Sequence, residues 1–209
     1  MKLEELKKAT IYQSFEDLGM ETKNSKSAEK YQALNFDPTG KTILDVWCNT
    51  GYFPIRFCQN WAKFVYGIDV DLPWGAGMEV IKLAKWYAEH YWITNIDFQI
   101  HSVFDKLDYL PELDAITCTS TFHYFREKQP QFFKICYELL KEWGELIREW
   151  WLPEKTKLYS RGVDEMPCYF PSEEALTAIA VGFELVWKWE SVNQKWDNIP
   201  RYVLHFKKI

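Results

Sequence analysis

The chain has 209 residues, 47% of them hydrophobic and 26% charged, with a formal net charge of −5. That balance describes one folded domain with a sizeable core and excludes a disordered chain. The negative charge argues against a broad nucleic-acid surface, and no apolar run approaches the ~20 residues of a membrane span.

The first ten residues, MKLEELKKAT, lack the apolar core of a secretion signal, so the chain is expected in the cytoplasm and off the membrane. Cys48, Cys58, Cys118, Cys136 and Cys168 form no C-x-x-C pair. They read as buried free thiols, with no disulfide framework and no metal site. Leu3 and Leu6 suit a short amphipathic helix, and Ile11, Tyr12, Phe15 and Leu18 fall at helical spacing. A further helix is expected from Ser27 to Leu34, stopped by the turn Asp37-Pro38-Thr39-Gly40. Lys23, Lys26 and Lys30 make a small basic cluster, read as solvated surface. Residues 1–38 are thus expected to form a helical extension and 39–209 the main domain.

The stretch from Lys41 to Asp71 reads as strand, turn, helix, strand. Thr42 to Val46 is a short apolar run of the kind that fills a buried parallel strand. Trp47 to Gly51 is the turn, Tyr52 to Asn60 the helix, and Lys63 to Ile68 the second strand, which ends at Asp69. This is half of a nucleotide-binding βαβ unit. Its turn offers free backbone N–H groups to a ligand. Asp69 follows Gly51 by 18 positions, close to the ~20-residue spacing of an acid that holds both ribose hydroxyls. A nicotinamide dinucleotide and S-adenosylmethionine satisfy this unit equally.

Beyond it, a helix is expected from Met78 to Tyr91, strands at Ile96–Ile100 and Leu113–Thr119, a helix from Gln129 to Glu142 and a strand from Glu145 to Trp151. Residues 153–171 have little periodicity and suit a segment covering a substrate. Ser172 followed by Glu173 and Glu174 signals a helix start. Phe183–Val192 and Arg201–Ile209 read as two closing strands.

The motif LDVWCNTGYF resembles the first motif of class I S-adenosylmethionine-dependent methyltransferases, and GIDVD resembles their second. Phe98–Asp105, Asp114–Tyr124 and Glu138–Glu149 resemble the later motifs in the right order, so the likeness spans Thr39 to Ile209. It implies an α/β, Rossmann-like methyltransferase fold. The sheet would have seven mostly parallel strands with an antiparallel last strand, and helices on both faces. The closing strand pair favours this over a dinucleotide dehydrogenase.

The resemblance implies S-adenosylmethionine as cofactor and a small-molecule acceptor. A tRNA modified at its wobble uridine is an alternative partner, since the first motif and its lead-in also resemble such enzymes. By position, Asp45, Trp47, Asn49, Thr50 and Gly51 would shape the methionine pocket. Asp69 with Val70 would hold the ribose, Ser102 and Val103 would flank the adenine, and Thr119 would lie near the transferred methyl. Ser120 and His123 share that rim, and His123 is the candidate general base. Tyr12, Tyr31, Tyr124, Glu149 and Trp150 are candidate substrate contacts. The sequence does not set the oligomeric state.

Eleven tryptophans are several times an ordinary share. Trp47, Trp61, Trp92 and Trp143 stand where the resembling family has glycine. The last three each follow an expected helix, at the position where glycine adopts the left-handed conformation. Drift seldom produces four such changes together. Trp47 fills space that a glycine leaves to the cofactor, so a non-enzymatic protein with a blocked site is a further alternative.

Overall fold

In a computed structural model, the structure describes residues 13–20, 26–70, 80–151, 172–191 and 201–209. The expected helix near Leu3, the candidate Tyr12, the covering segment 153–171 and Cys168 lie outside the described residues.

Seven strands form one sheet in the order β3-β2-β1-β4-β5-β7-β6. They are β1 (Thr42–Val46), β2 (Phe64–Asp69), β3 (Ile96–Ile100), β4 (Leu113–Cys118), β5 (Leu140–Trp151), β6 (Phe183–Glu190) and β7 (Arg201–Lys208). All pairings from β3 to β5 are parallel, while β7 runs antiparallel to both β5 and β6. The order reverses between β1 and β4. In an open sheet of this kind, ligands bind outside the strands' carboxyl ends at that point.

The central strands are covered on both faces, and their side chains divide by alternation. Ile43, Val65, Ala115 and Ile147 face one core. It is closed by α1 (Ser27–Ala33), α2 (Tyr52–Gln59) and α3 (Val80–His90). Leu44, Ile68, Ile116 and Leu146 face the other, closed by a 3₁₀ segment (Phe122–Lys128), α4 (Gln129–Leu139) and α5 (Glu173–Ile179). Ser172 caps α5 as expected, accepting the Ala175 N–H at 3.2 Å. No described helix is long and apolar enough to cross a membrane.

Two expected helices differ. Phe15 and Leu18 do not continue a helix; only a 3₁₀ turn, Glu16–Leu18, forms there. Phe15 and Met20 instead exchange backbone hydrogen bonds, and the Phe15 ring stacks on Tyr87 with centroids 4.0 Å apart. The apolar residues are buried by a tight loop against the core, which costs fewer ordered residues than a helix would. α4 ends at Leu139, before the expected Glu142, because Leu140 turns extended and pairs with Leu113 of β4. The Lys208 ammonium donates to the carbonyls of Tyr137 and Leu140 at 2.6 and 2.7 Å, satisfying acceptors that the helix end leaves over.

Candidate active site

β1 carries Asp45 and the following turn to the sheet's carboxyl edge. Gly51 opens α2 with φ 83°, and a Cβ there would sit 2.6 Å from Phe98 Cζ, so glycine alone closes this turn. The Asn49 N–H donates to Asp69 Oδ2 at 2.9 Å. That bond ties the turn, expected at the methionine part of the cofactor, to the acid at the end of β2 that was expected at its ribose. Val70, one residue beyond β2, is half-buried. The Asn49 side chain accepts the Thr50 N–H at 2.9 Å.

Thr50 points inward. Its hydroxyl donates to Gln13 Oε1 at 3.0 Å, and the same oxygen accepts the Tyr52 N–H at 3.1 Å. Gln13 thus satisfies a free donor at the start of α2. Nothing in the sequence announced it, because its segment read as part of a helix.

Asp45 is fully buried and faces β4, where the Thr117 hydroxyl donates to it at 2.5 Å. Burial pushes its carboxyl up to about 7; the Thr117 bond opposes this, and the Asp69 charge adds to it. Trp47 takes φ 58°. Its indole stacks on Tyr124 at 5.6 Å and meets the edge of Phe125 at 5.9 Å. It packs on the 3₁₀ segment that follows β4 and on the core beneath it.

After β3, the Ser102 N–H donates to Asp105 and its hydroxyl accepts the Phe104 N–H at 3.2 Å. The Val103 side chain is fully buried. Thr119 is half-buried at the end of β4.

The ends of β4, β5 and β7 hold a buried polar cluster. Lys30 Nζ reaches over from α1 and donates to Ser120 Oγ at 2.7 Å. Ser120 Oγ donates to Glu149 Oε2 at 2.5 Å. Lys30 and Arg201 lie 3.5 and 3.6 Å from that carboxylate. Burial alone would raise the Glu149 carboxyl, but Lys30, Arg201 and the Ser120 bond together hold it below the usual range. Lys30 had read as solvated surface; it is 4% exposed. The signal was available in its spacing, since Ser27, Lys30 and Leu34 share one helical face and all three are buried.

His123 adjoins this cluster. Burial lowers its imidazole to about 3, with the Arg201 charge acting the same way, so the ring is neutral at physiological pH. Tyr124 is exposed beside it, with ring centroids 4.0 Å apart. Trp150 pairs with Tyr202 in the β5–β7 ladder. Tyr31 sits apart from the edge. Its ring packs on Phe53 and Phe57, and its hydroxyl donates to the Arg56 carbonyl at 3.3 Å.

Arg148 was not foreseen. It is 1% exposed, with its guanidinium 3.4 Å from the centroid of Phe122. Its Nε and Nη1 have no hydrogen-bond partner among the described residues. Burial lowers it to about 9. Cys48, Cys58, Cys118 and Cys136 are buried free thiols, and no metal-ligand cluster occurs among the described residues.

The strand order, the antiparallel β7 and the acid-ended β2 beside a glycine turn define a class I methyltransferase fold. Residues 43–144 match a family model described as a methyltransferase domain. The chain is similar to a solved S-adenosylmethionine-dependent methyltransferase, described as putative, from Listeria monocytogenes. The two are 16% identical over 88% of this chain and 98% of that one, with a TM-score of 0.66. It is similar also to the N-methyltransferase NodS of Bradyrhizobium japonicum, solved with S-adenosyl-L-homocysteine, at 14% identity over 87% of this chain and 86% of that one, TM-score 0.67. A third is the magnesium protoporphyrin IX methyltransferase of Synechocystis, solved with its cofactor, at 15% identity over 88% and 78%, TM-score 0.64. None of the curated proteins compared with the chain matches it. The chain thus has the fold of class I S-adenosylmethionine-dependent methyltransferases, and its residues 43–144 are similar to their methyltransferase domain.

Proposed function

We propose that the chain transfers a methyl group from S-adenosylmethionine to an oxygen, nitrogen or carbon of a small molecule. The observation that carries this is the junction of Asn49 and Asp69, 2.9 Å apart at the edge where the strand order reverses. Asp69 presents a carboxylate suited to two ribose hydroxyls; the N–H groups from Cys48 to Tyr52, expected to be free for the ligand, are instead bonded within the chain and hold the turn in shape. When bound, the cofactor supplies a methyl already activated by its sulfonium. The protein's work is then to bring the acceptor into line and to exclude water.

Ser120, Glu149 and His123 line the acceptor side of the same edge. A neutral imidazole of such low basicity accepts a hydrogen bond from the acceptor and takes its proton only as the new bond forms. That arrangement suits an acceptor whose proton becomes acidic during transfer.

Calorimetric titration with S-adenosylmethionine and S-adenosylhomocysteine tests this. Saturable binding of both is expected. No binding by either the chain or its Trp47→Gly variant overturns the proposal. A second reading, a protein of this fold with a blocked site, is favoured by the Trp47–Tyr124 stack. It predicts binding by the Trp47→Gly variant alone.

A further inference from the structure

The described tryptophans fall into two groups by backbone. Trp86 in α3, Trp150 and Trp151 in β5, and Trp187 and Trp189 in β6 have no positive φ, and the rings of Trp86, Trp187 and Trp189 are used. Trp86 stacks on His90, Trp187 packs on Trp189, and the Trp189 indole N–H donates to the Ala33 carbonyl at 2.5 Å. Trp47, Trp61, Trp92 and Trp143 have φ of 58, 67, 57 and 65°. In that region a Cβ crowds the following carbonyl, and only glycine enters freely.

Elsewhere the chain meets the same demand with Gly19, Gly40, Gly51 and Gly182, or with Asn35 and Asn49, a residue type that tolerates it. Ser120 and Arg126 also have positive φ. Both lie at the candidate site or on the segment beside it, where local strain is commonly kept.

Trp61, Trp92 and Trp143 have no such setting. Trp61 and Trp92 stand where α2 and α3 give way to the next strand, the usual place for glycine, and Trp143 stands in the irregular stretch of β5 between Leu140 and Glu145, where the register with β4 shifts. Their side chains are 80, 90 and 59% exposed and add nothing to either core. The turns themselves are well formed. The Trp61 N–H donates to the Cys58 carbonyl and the Trp92 N–H to the Glu89 carbonyl, both at 3.1 Å, and the Trp61 carbonyl accepts the Gly40 N–H at 2.8 Å. Four separate backbone sites take the conformation that suits a residue without a side chain, and all four carry the bulkiest one.

Four independent replacements have no physical driver in common, whereas one decoding rule accounts for all of them. The glycine triplet GGG differs in the first base alone from UGG, which specifies tryptophan, and GGA likewise from UGA, which some codes read as tryptophan. We propose that positions 47, 61, 92 and 143 are encoded by UGA and are filled by glycine in the protein as its own cell makes it. The same decoding removes the indole from the turn after β1, so the form made in the cell has no ring stacked on Tyr124 there.

Peptide mass spectrometry of the protein purified from its own cells tests this, together with the gene's codons. Glycine masses are expected at all four positions, with tryptophan at 187 and 189, and UGA at the four against UGG at the two. Tryptophan at any of the four, or UGG there, overturns the proposal.

The consequence for binding rests on the methyltransferase reading and is tested separately. A recombinant chain carrying Trp47→Gly, Trp61→Gly, Trp92→Gly and Trp143→Gly should melt at a higher temperature than the unaltered chain. It should also bind S-adenosylmethionine at least about tenfold more tightly. A lower melting temperature would overturn the claim that these sites are built for glycine. Glycine in the cellular peptides with no cofactor binding by either chain would overturn the cofactor reading and leave the decoding intact.

Discussion

Asp45 and Glu149 are both fully buried carboxylates on central strands of one sheet, yet their protons behave in opposite ways. Asp45 has a neutral partner, the Thr117 hydroxyl, and burial lifts it to about 7. Glu149 has Lys30 and Arg201 within 3.6 Å and is held ionised below its usual range. Burial therefore does not fix the charge of an acid in this protein; the cations delivered by other elements do. The difference also divides the site. The β1–β4 seam is braced by an acid that tolerates a proton, while the β5 end holds a permanent charge matched by Lys30 and Arg201.

The sharpest way to break the comparison is to remove the charge that the cations answer. Glu149→Gln should lower unfolding free energy by about 3–5 kcal/mol, because Lys30 and Arg201 lose their buried counter-charge. Urea unfolding at neutral pH measures it, and a loss under 1 kcal/mol would deny the network its structural role.

Next in size is the pH profile of stability. An acid with a raised folded value binds more protons folded than unfolded, so Asp45 should make stability fall as pH rises from about 4 to 7, by at most roughly 3 kcal/mol. Asp45→Asn keeps an acceptor for Thr117 and should flatten that fall. Glu149 has the opposite sign. Its contribution is present above the unfolded carboxyl value near 4.5 and is lost as pH drops through the lower folded one. Unfolding curves of both variants from pH 3 to 8 would separate the two slopes. A parallel response would sink the comparison.

Asp69 is a third acid on the same edge, partnered by a backbone N–H. Asp69→Asn keeps an acceptor for the Asn49 N–H and should weaken S-adenosylmethionine binding by about 1.5–3 kcal/mol while the melting temperature holds. Unchanged affinity in calorimetry would remove it from the site. The smallest effect is expected of Ser120→Ala, which deletes the hydroxyl bridging Lys30 to Glu149. A loss of about 1 kcal/mol in urea unfolding is expected, since the direct ion pair stays in place.

The sequence alone determined the order and type of the sheet elements. Thr42–Val46 is a short, mostly apolar run and Ile96–Ile100 alternates apolar with polar, and Ser172 and Gly51 carry local signals that depend only on near neighbours. Spacing along the chain likewise predicted that Asp69 would stand beside the Asn49 turn. It also marked three of the glycine-type positions occupied by tryptophan, whose left-handed backbone the structure displays. What the tertiary structure decided was everything that depends on distant partners. Phe15 had helical spacing, yet packing on Tyr87 put it in a loop. Lys30 looked like solvent-facing charge until α1 carried it, 119 positions away in sequence, to Glu149. The protonation of Asp45, Glu149 and His123 belongs to the same class. A side chain's charge is set by the groups folding brings within a few ångströms, and those contacts have no local signature along the chain.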